Sequence, residues 1–191
     1  MNSSTSRQPR SPVCAADSPQ PRPPPPPRRP IPPLTWEQLA DLTGRQLTRL
    51  VLADIAETTR ALRGHPLEQV WIRRTWHTLK TLHSYAEAKD LHGPHALPHL
   101  GAYLRWPNAT HLIPATRHAP GESERLMASA RLRDTRTFPV PRTIDPSGRI
   151  LMGEHIRIGS GKPPAPRLHL YDDTSGRTSQ IHIGYIGVHL P

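Results

Sequence analysis

Three histidines stand one apiece in three short runs of alternating apolar and polar residues. They are His155 in the run 150–158, His169 in 167–171 and His182 in 180–186. An imidazole titrates near neutrality and can take up and return a proton, while a guanidinium can hold the charge that develops on a phosphoryl oxygen. On the polar face of one sheet, His155, His169 and His182 with Arg157, Arg167 and Tyr171 would suit metal-free phosphodiester cleavage. Tyr185 would share that face. The alternative role for each of these residues is that of an ordinary strand side chain on a half-wet surface.

Other residue sets carry weaker chemistry. Two-histidine phosphoesterases place a hydroxyl residue two positions after each histidine; Arg157, Tyr171 and Gly184 hold those places here, and the pattern fails. Gly159-Ser160-Gly161-Lys162 lacks the glycine spacing and the following Ser or Thr of a phosphate-binding loop, and Pro163 follows instead. His92, His95 and His99 could suit a metal, but Pro94 and Pro98 break any common helical face. No metal and no cofactor is therefore expected. Asp172-Asp173 reads as a solvated turn. Arg131, Arg133, Arg136 and Arg142, offset only by Asp134, form the densest basic segment of the folded part and are the candidates for nucleic-acid contact.

The elements that would position these residues follow from pattern. Thr35 to Gln38 is a capping box opening a short helix to about residue 42, and Thr43 to Gln46 repeats the signature before a longer helix that Gly64 stops. From Pro66 to about Lys89 the spacing stays helical, with apolar residues over more than half the circumference, which predicts a central helix packed on two sides. A short helix is expected over 99–106 and a fourth over 122–133. After these, Phe138-Pro139-Val140-Pro141 reads as an edge strand and Asp145 to Gly148 as a type I turn. The strands with the three histidines complete the chain.

The fold class expected is α+β. A disordered Pro/Arg-rich tail over 1–33 precedes a helical region over 34–135, a bundle of three to five helices, and then a small antiparallel sheet over 136–191 packed on those helices. The tail holds five consecutive prolines at 23–27 and cannot bury enough apolar surface to offset its conformational entropy.

Charge and cysteine content bound the function. Of the 25 basic residues in 191, only Lys80, Lys89 and Lys162 are lysines, and the net charge is +10. Such an excess favours phosphate-rich or acidic partners, although a GC-rich codon bias would also enrich arginine. Cys14 is the single cysteine, which excludes an intrachain disulfide and fits a reducing cytoplasm. No run approaches the roughly 20 apolar residues of a membrane span, and the N-terminus has no apolar leader region, so no membrane partner is expected.

Several segments resemble stretches shared by a group of uncharacterised proteins from GC-rich, actinobacteria-like genomes. They are Tyr85 to Lys89, Phe138 to Val140, Asp145 to Arg149, Ala165 to Leu168, Tyr171 to Thr174, and His182 to Gly187 with His189-Leu190. The resemblance covers roughly 79–190 and implies a shared fold with no assigned activity; in that group the tail runs a little past the position of Pro191, so a shortened end is expected here. The function expected is a basic cytoplasmic interaction or nucleic-acid-associated module. The alternative is a small, metal-independent, toxin-type ribonuclease built on the strand histidines and arginines. The sequence leaves open whether the protein is an enzyme.

Overall fold

A computed structural model describes residues 32–191, so the tail expected over 1–33 lies, except for its last two residues, outside the described part. The described elements are α1 (Trp36–Gln46), β1 (Leu50–Leu52), α2 (Glu68–His92), α3 (Leu100–Tyr103), β2 (His118–Ala119), α4 (Glu124–Ala128) and α5 (Ala130–Asp134). They continue with β3 (Thr137–Pro139), β4 (Arg149–Leu151), β5 (Glu154–Arg157), β6 (Arg167–Asp172) and β7 (Ile181–Gly187). Helices and strands mix in an α+β arrangement. Five strands form one sheet in the order β1-β7-β6-β5-β2, and β3 pairs with β4 as a separate ribbon.

The helical bundle expected for the N-terminal half is replaced by one long helix, α2, with short helices around it. Two strands of that half enter the sheet: β1 runs parallel to β7, and β2 runs antiparallel to β5. The helix expected to begin at Thr43 does not form. Thr43 lies inside α1, where its hydroxyl donates to the Leu39 carbonyl at 2.7 Å. The segment that follows then pairs Leu50, Val51 and Leu52 with Ile181, His182 and Ile183. Its helical spacing is real, but backbone pairing with a buried strand outweighs a weak local propensity. The helix expected over 122–133 is cut at Ser129, which ends α4 and caps α5 by accepting from the Leu132 amide.

Other local expectations hold. Thr35 caps α1 by accepting from Gln38 N at 3.2 Å, and Gln38 reaches back to the amide of Leu34 at 2.8 Å. Helix α2 is central: Trp71, Ile72, Leu79, Leu82 and Tyr85 are buried together with Ile156, Leu168, Leu170, Ile181, Ile183 and Ile186 of the sheet. Each such Leu or Ile contributes about 1.5–3 kcal/mol relative to exposure. Among the described residues, no helix is long and apolar enough to cross a membrane.

A buried polar knot ties α2 to the sheet. Tyr85 donates to Asp172 Oδ2 at 2.6 Å, and Lys89 Nζ donates to the Tyr85 hydroxyl at 3.0 Å and to the Pro98 carbonyl at 3.1 Å. Asp172 and Lys89 approach to 3.7 Å. Asp172 also accepts from the Thr174 amide, and Asp173 takes both the amide and hydroxyl of Thr178. The Asp172-Asp173 pair is thus occupied by protein donors.

Period-two alternation sends Ile156, Leu168, Leu170, Ile183 and Ile186 toward α2, and sends His155, Arg157, Arg167, His169, Tyr171, His182 and Tyr185 to the opposite face. The β3–β4 ribbon covers part of that second face. Gly184 makes this possible. It is the extra residue of a bulge between the pairs His169↔Tyr185 and Leu170↔Ile183, and a Cβ there would sit 2.4 Å from Phe138 Cβ and 2.7 Å from Met152 Sδ. Gly184→Ala is therefore expected to lower stability by about 1–3 kcal/mol through overpacking, read as a drop in Tm by calorimetry. An unchanged Tm would mean that the ribbon does not press on the sheet.

Candidate functional site

The three strand histidines share one face but do not form one cluster. His155 and His169 are Cα partners on β5 and β6, and their rings stack with centroids 5.1 Å apart. His182 lies at the other end of the face, where its Nε2 meets Thr178 Oγ1 at 3.1 Å beside Asp173. Tyr171 is the Cα partner of His182 and stands with it, away from the pair.

The His155–His169 pair owes its setting to the chain's crossing from one sheet to the other. Met152 and Gly153 belong to neither strand, so their carbonyls are free of the β5–β6 ladder. His169 Nδ1 bonds the Met152 carbonyl at 2.9 Å, and His155 Nδ1 bonds the Gly153 carbonyl at 3.1 Å. A carbonyl only accepts, so each Nδ1 carries its proton, and each neutral ring keeps its lone pair on Nε2. Burial pushes the His155 imidazole below its ordinary pKa and takes His169 down to about 4. Both rings are therefore neutral at pH 7. Phe138 and Tyr185 close over His169, with ring centroids 5.9 and 5.8 Å away. The Tyr185 hydroxyl donates to the Val188 carbonyl at 2.7 Å, and burial pushes its pKa up to about 12.

Two charged residues that sequence reasoning did not link to the histidines complete the cluster. Glu122, in the segment after β2, lies 3.6 Å from His155 Nδ1 and accepts from Arg136 Nε at 2.7 Å. Arg136 also donates through Nη1 to the Leu132 carbonyl and to Thr135 Oγ1. Burial works to raise the Glu122 pKa, but the Arg136 bond and the neighbouring His155 and Arg136 charges hold it below the ordinary carboxylate value. Only the acidic first turn of an expected helix marked Glu122 in the sequence; nothing local tied it to residues more than 30 positions away.

The four basic candidates of the 131–142 segment do not form one patch. Arg136 is 1% exposed and committed to Glu122, so it offers nothing to a phosphate. Arg133 turns inward to the Met127 carbonyl, while Arg131 and Arg142 are exposed. The physical reason is the β3–β4 ribbon, which carries Arg136 over the sheet and under cover instead of onto the surface. Arg167 is also taken: its Nη1 spans the carbonyls of Gly159 and Ala165 at 2.8 Å each and Pro166 at 3.2 Å, clasping the loop after β5. Burial, with Arg157 nearby, lowers its pKa.

Arg157 has a different fate. With Arg74 of α2 and Arg117 it lines a cleft of about 300 Å³ whose remaining lining is Thr116, Ile158, Gly159 and Ser160. Arg157 Nη1 donates to the Thr116 carbonyl at 3.0 Å, and Arg74 Nη1 to the Ile158 carbonyl at 3.3 Å. No carboxylate lines this cleft, and none of the three guanidiniums is in an ion pair among the described residues. Burial, then the charge of Arg74, lowers the Arg117 pKa, as expected of cations crowded without a counter-charge. An adjoining cleft of about 350 Å³ adds Arg73 and His77 and shares Arg74 and Arg117. Sequence reasoning placed Arg74 on a helix and Arg117 in a loop, and had no signal that the two meet Arg157.

Two of the three connector histidines have structural duties, and His95 is exposed. His99 caps α3 by accepting from the Ala102 amide at 3.1 Å, and His92 packs edge-on against Trp106. No protein-family model, curated protein or solved structure matches the chain.

Proposed function

We propose that the protein is a basic, nucleic-acid-associated module that grips a phosphate backbone through Arg73, Arg74, Arg117 and Arg157. The observation that carries this reading is the carboxylate-free cleft where three guanidiniums from three separate elements converge. Keeping like charges together costs free energy in the empty protein, and an anion in the cleft relieves it. Two of the three guanidiniums are aimed by backbone carbonyls, so less side-chain entropy is lost when a phosphate arrives.

The experiment is affinity for a short RNA and a short DNA duplex at several salt concentrations. The wild-type protein is expected to lose affinity linearly in log salt. The variant R74Q/R117Q/R157Q is expected to bind about tenfold or more weakly near 0.1 M salt and to reduce the magnitude of the slope by about two to three. R131Q/R142Q, by contrast, should change little. Equal binding and equal slope for wild type and triple variant would remove the proposal.

The ribonuclease alternative draws support from His155 and His169 lying side by side. Against it, His169 is 1% exposed beneath Phe138, Arg167 is spent on loop carbonyls, and His182 stands apart. A strand of RNA would have to displace the ribbon to reach the imidazoles, so binding is the better-supported reading.

A further inference from the structure

We propose that Glu122, His155 and His169 form a binding site for a single divalent transition metal of the zinc class, held between the five-stranded sheet and the segment that covers it. One ligand atom from each residue lies within 4.8 Å of the others, and they form the group of His and carboxylate side chains suited to a metal among the described residues. A tetrahedral zinc with bonds of about 2.0–2.2 Å needs donors roughly 3.5 Å apart. Glu122 meets His155 on its Nδ1 side, at 3.6 Å, so the His155 ring must turn to present Nε2, and side-chain rotations of that kind would close the difference.

Three further observations fit a ligand set. Each imidazole has its Nδ1 proton fixed on a backbone carbonyl, the usual outer contact of a metal-binding histidine, and this leaves an Nε2 lone pair without a hydrogen-bond partner among the described residues. Glu122 gives Oε1 to Arg136 and leaves Oε2 without a protein donor among the described residues. All three side chains are largely shielded from water, which strengthens a charge–dipole bond.

The neighbouring charges set the strength. Arg136 touches Glu122, and Arg157 and Arg167 act on His155, so a dication meets repulsion from three guanidiniums. Affinity is therefore expected to be weaker than that of a site with an uncompensated carboxylate. Glu122 comes from the segment after β2, whereas the histidines come from β5 and β6. A metal here fastens that covering segment to the sheet. Soft thiolate ligands are absent from the set, and the nitrogen-rich donors favour zinc, cobalt or nickel over calcium or magnesium.

The full chain carries 12 histidines, so the test must separate this site from surface imidazoles. Cobalt(II) is added to metal-free protein, the visible absorption of the bound ion is followed, and zinc is then added as competitor. One equivalent of four-coordinate cobalt, displaced by zinc, is expected for the wild type and for H92Q/H95Q/H99Q. E122Q, which keeps an acceptor for Arg136, and H169Q should each weaken binding tenfold or more. Zinc should also slow amide exchange in residues 120–136 of the wild type but not of E122Q. No bound equivalent in the wild type, or binding that survives E122Q and H169Q, overturns the site. Should H169Q fail to fold, the wild-type and E122Q measurements still decide it. Nucleic-acid affinity of R74Q/R117Q/R157Q reports on the arginine cleft alone, so the two proposals fail separately.

Discussion

Arg136→Leu is expected to destabilise the protein by about 3–5 kcal/mol, a large share of the roughly 5–15 kcal/mol that holds a domain of this size together. The guanidinium is fully buried and serves Glu122, the Leu132 carbonyl and Thr135 Oγ1 at once. Removing it leaves a carboxylate whose side chain is 12% exposed without its main partner, and leaves the Leu132 carbonyl only the Thr135 hydroxyl as a donor. Arg136→Lys should rescue little, because one ammonium cannot reproduce a planar fork reaching three acceptors. The double variant Arg136→Leu/Glu122→Leu should recover most of the loss, since it buries no unpaired charge. Urea denaturation of both singles and the double gives the coupling directly. Additive effects would show that the two side chains do not act as a pair.

Acid should unfold the metal-free protein at a pH where carboxylates are still largely ionised. His169 is held neutral by burial with a folded pKa of about 4, against 6.5 in the unfolded chain. Between those values the unfolded state binds the extra proton, so the contribution is complete above pH 6.5 and is lost as pH falls toward 4. For His169 alone this amounts to on the order of 3 kcal/mol. The groups facing it agree in sign: His155 is also lowered, and Arg136 adds repulsion to any new positive charge, while Glu122 offsets part of it. Burial lowers His182 in the same way. Denaturant midpoints measured in chelator at pH 7.5 and 4.5 should differ sharply for the wild type and much less for His169→Gln. An equal drop in both would place the acid sensitivity elsewhere.

Much of the fold was legible because it rests on local chemistry. The capping of α1 at Thr35, the length and double packing of α2, the turn at Asp145 to Gly148 and the alternation of β5 and β6 all follow from residues a few positions apart; strict alternation in β7 puts Tyr185 with Ile181 and Ile183, and the bulge at Gly184 turns it to the side of His182 and Ile186 to the core. What escaped were pairings that need distant partners. Leu50-Val51-Leu52 has helical spacing and becomes a strand only because β7 offers it an edge. Ala130 to Arg136 reads as a basic surface, yet Glu122 and the ribbon draw Arg136 inside. The candidate sites divide in the same way. Alternation sufficed to put His155 and His169 on one face, whereas Arg74 and Arg117 meet Arg157 only through tertiary packing. Tyr85 and Lys89 likewise meet Asp172, more than 80 positions away, in one buried hydrogen-bonded knot.

The pairing of β1 with β7 has a bearing on how the molecule comes into being. The last strand of the sequence is an interior strand of the sheet, buried at every position, and it separates the first strand from β6. Until β7 docks, β1 and β6 each present an open strand edge and part of the apolar face of α2 is uncovered. Ring closure on that scale is entropically slow, and exposed edges invite pairing between chains. Molecules in which β7 has not docked would be prone to stick to one another, and the docking of β7, more than any early helix, sets the moment at which the sheet becomes safe from aggregation.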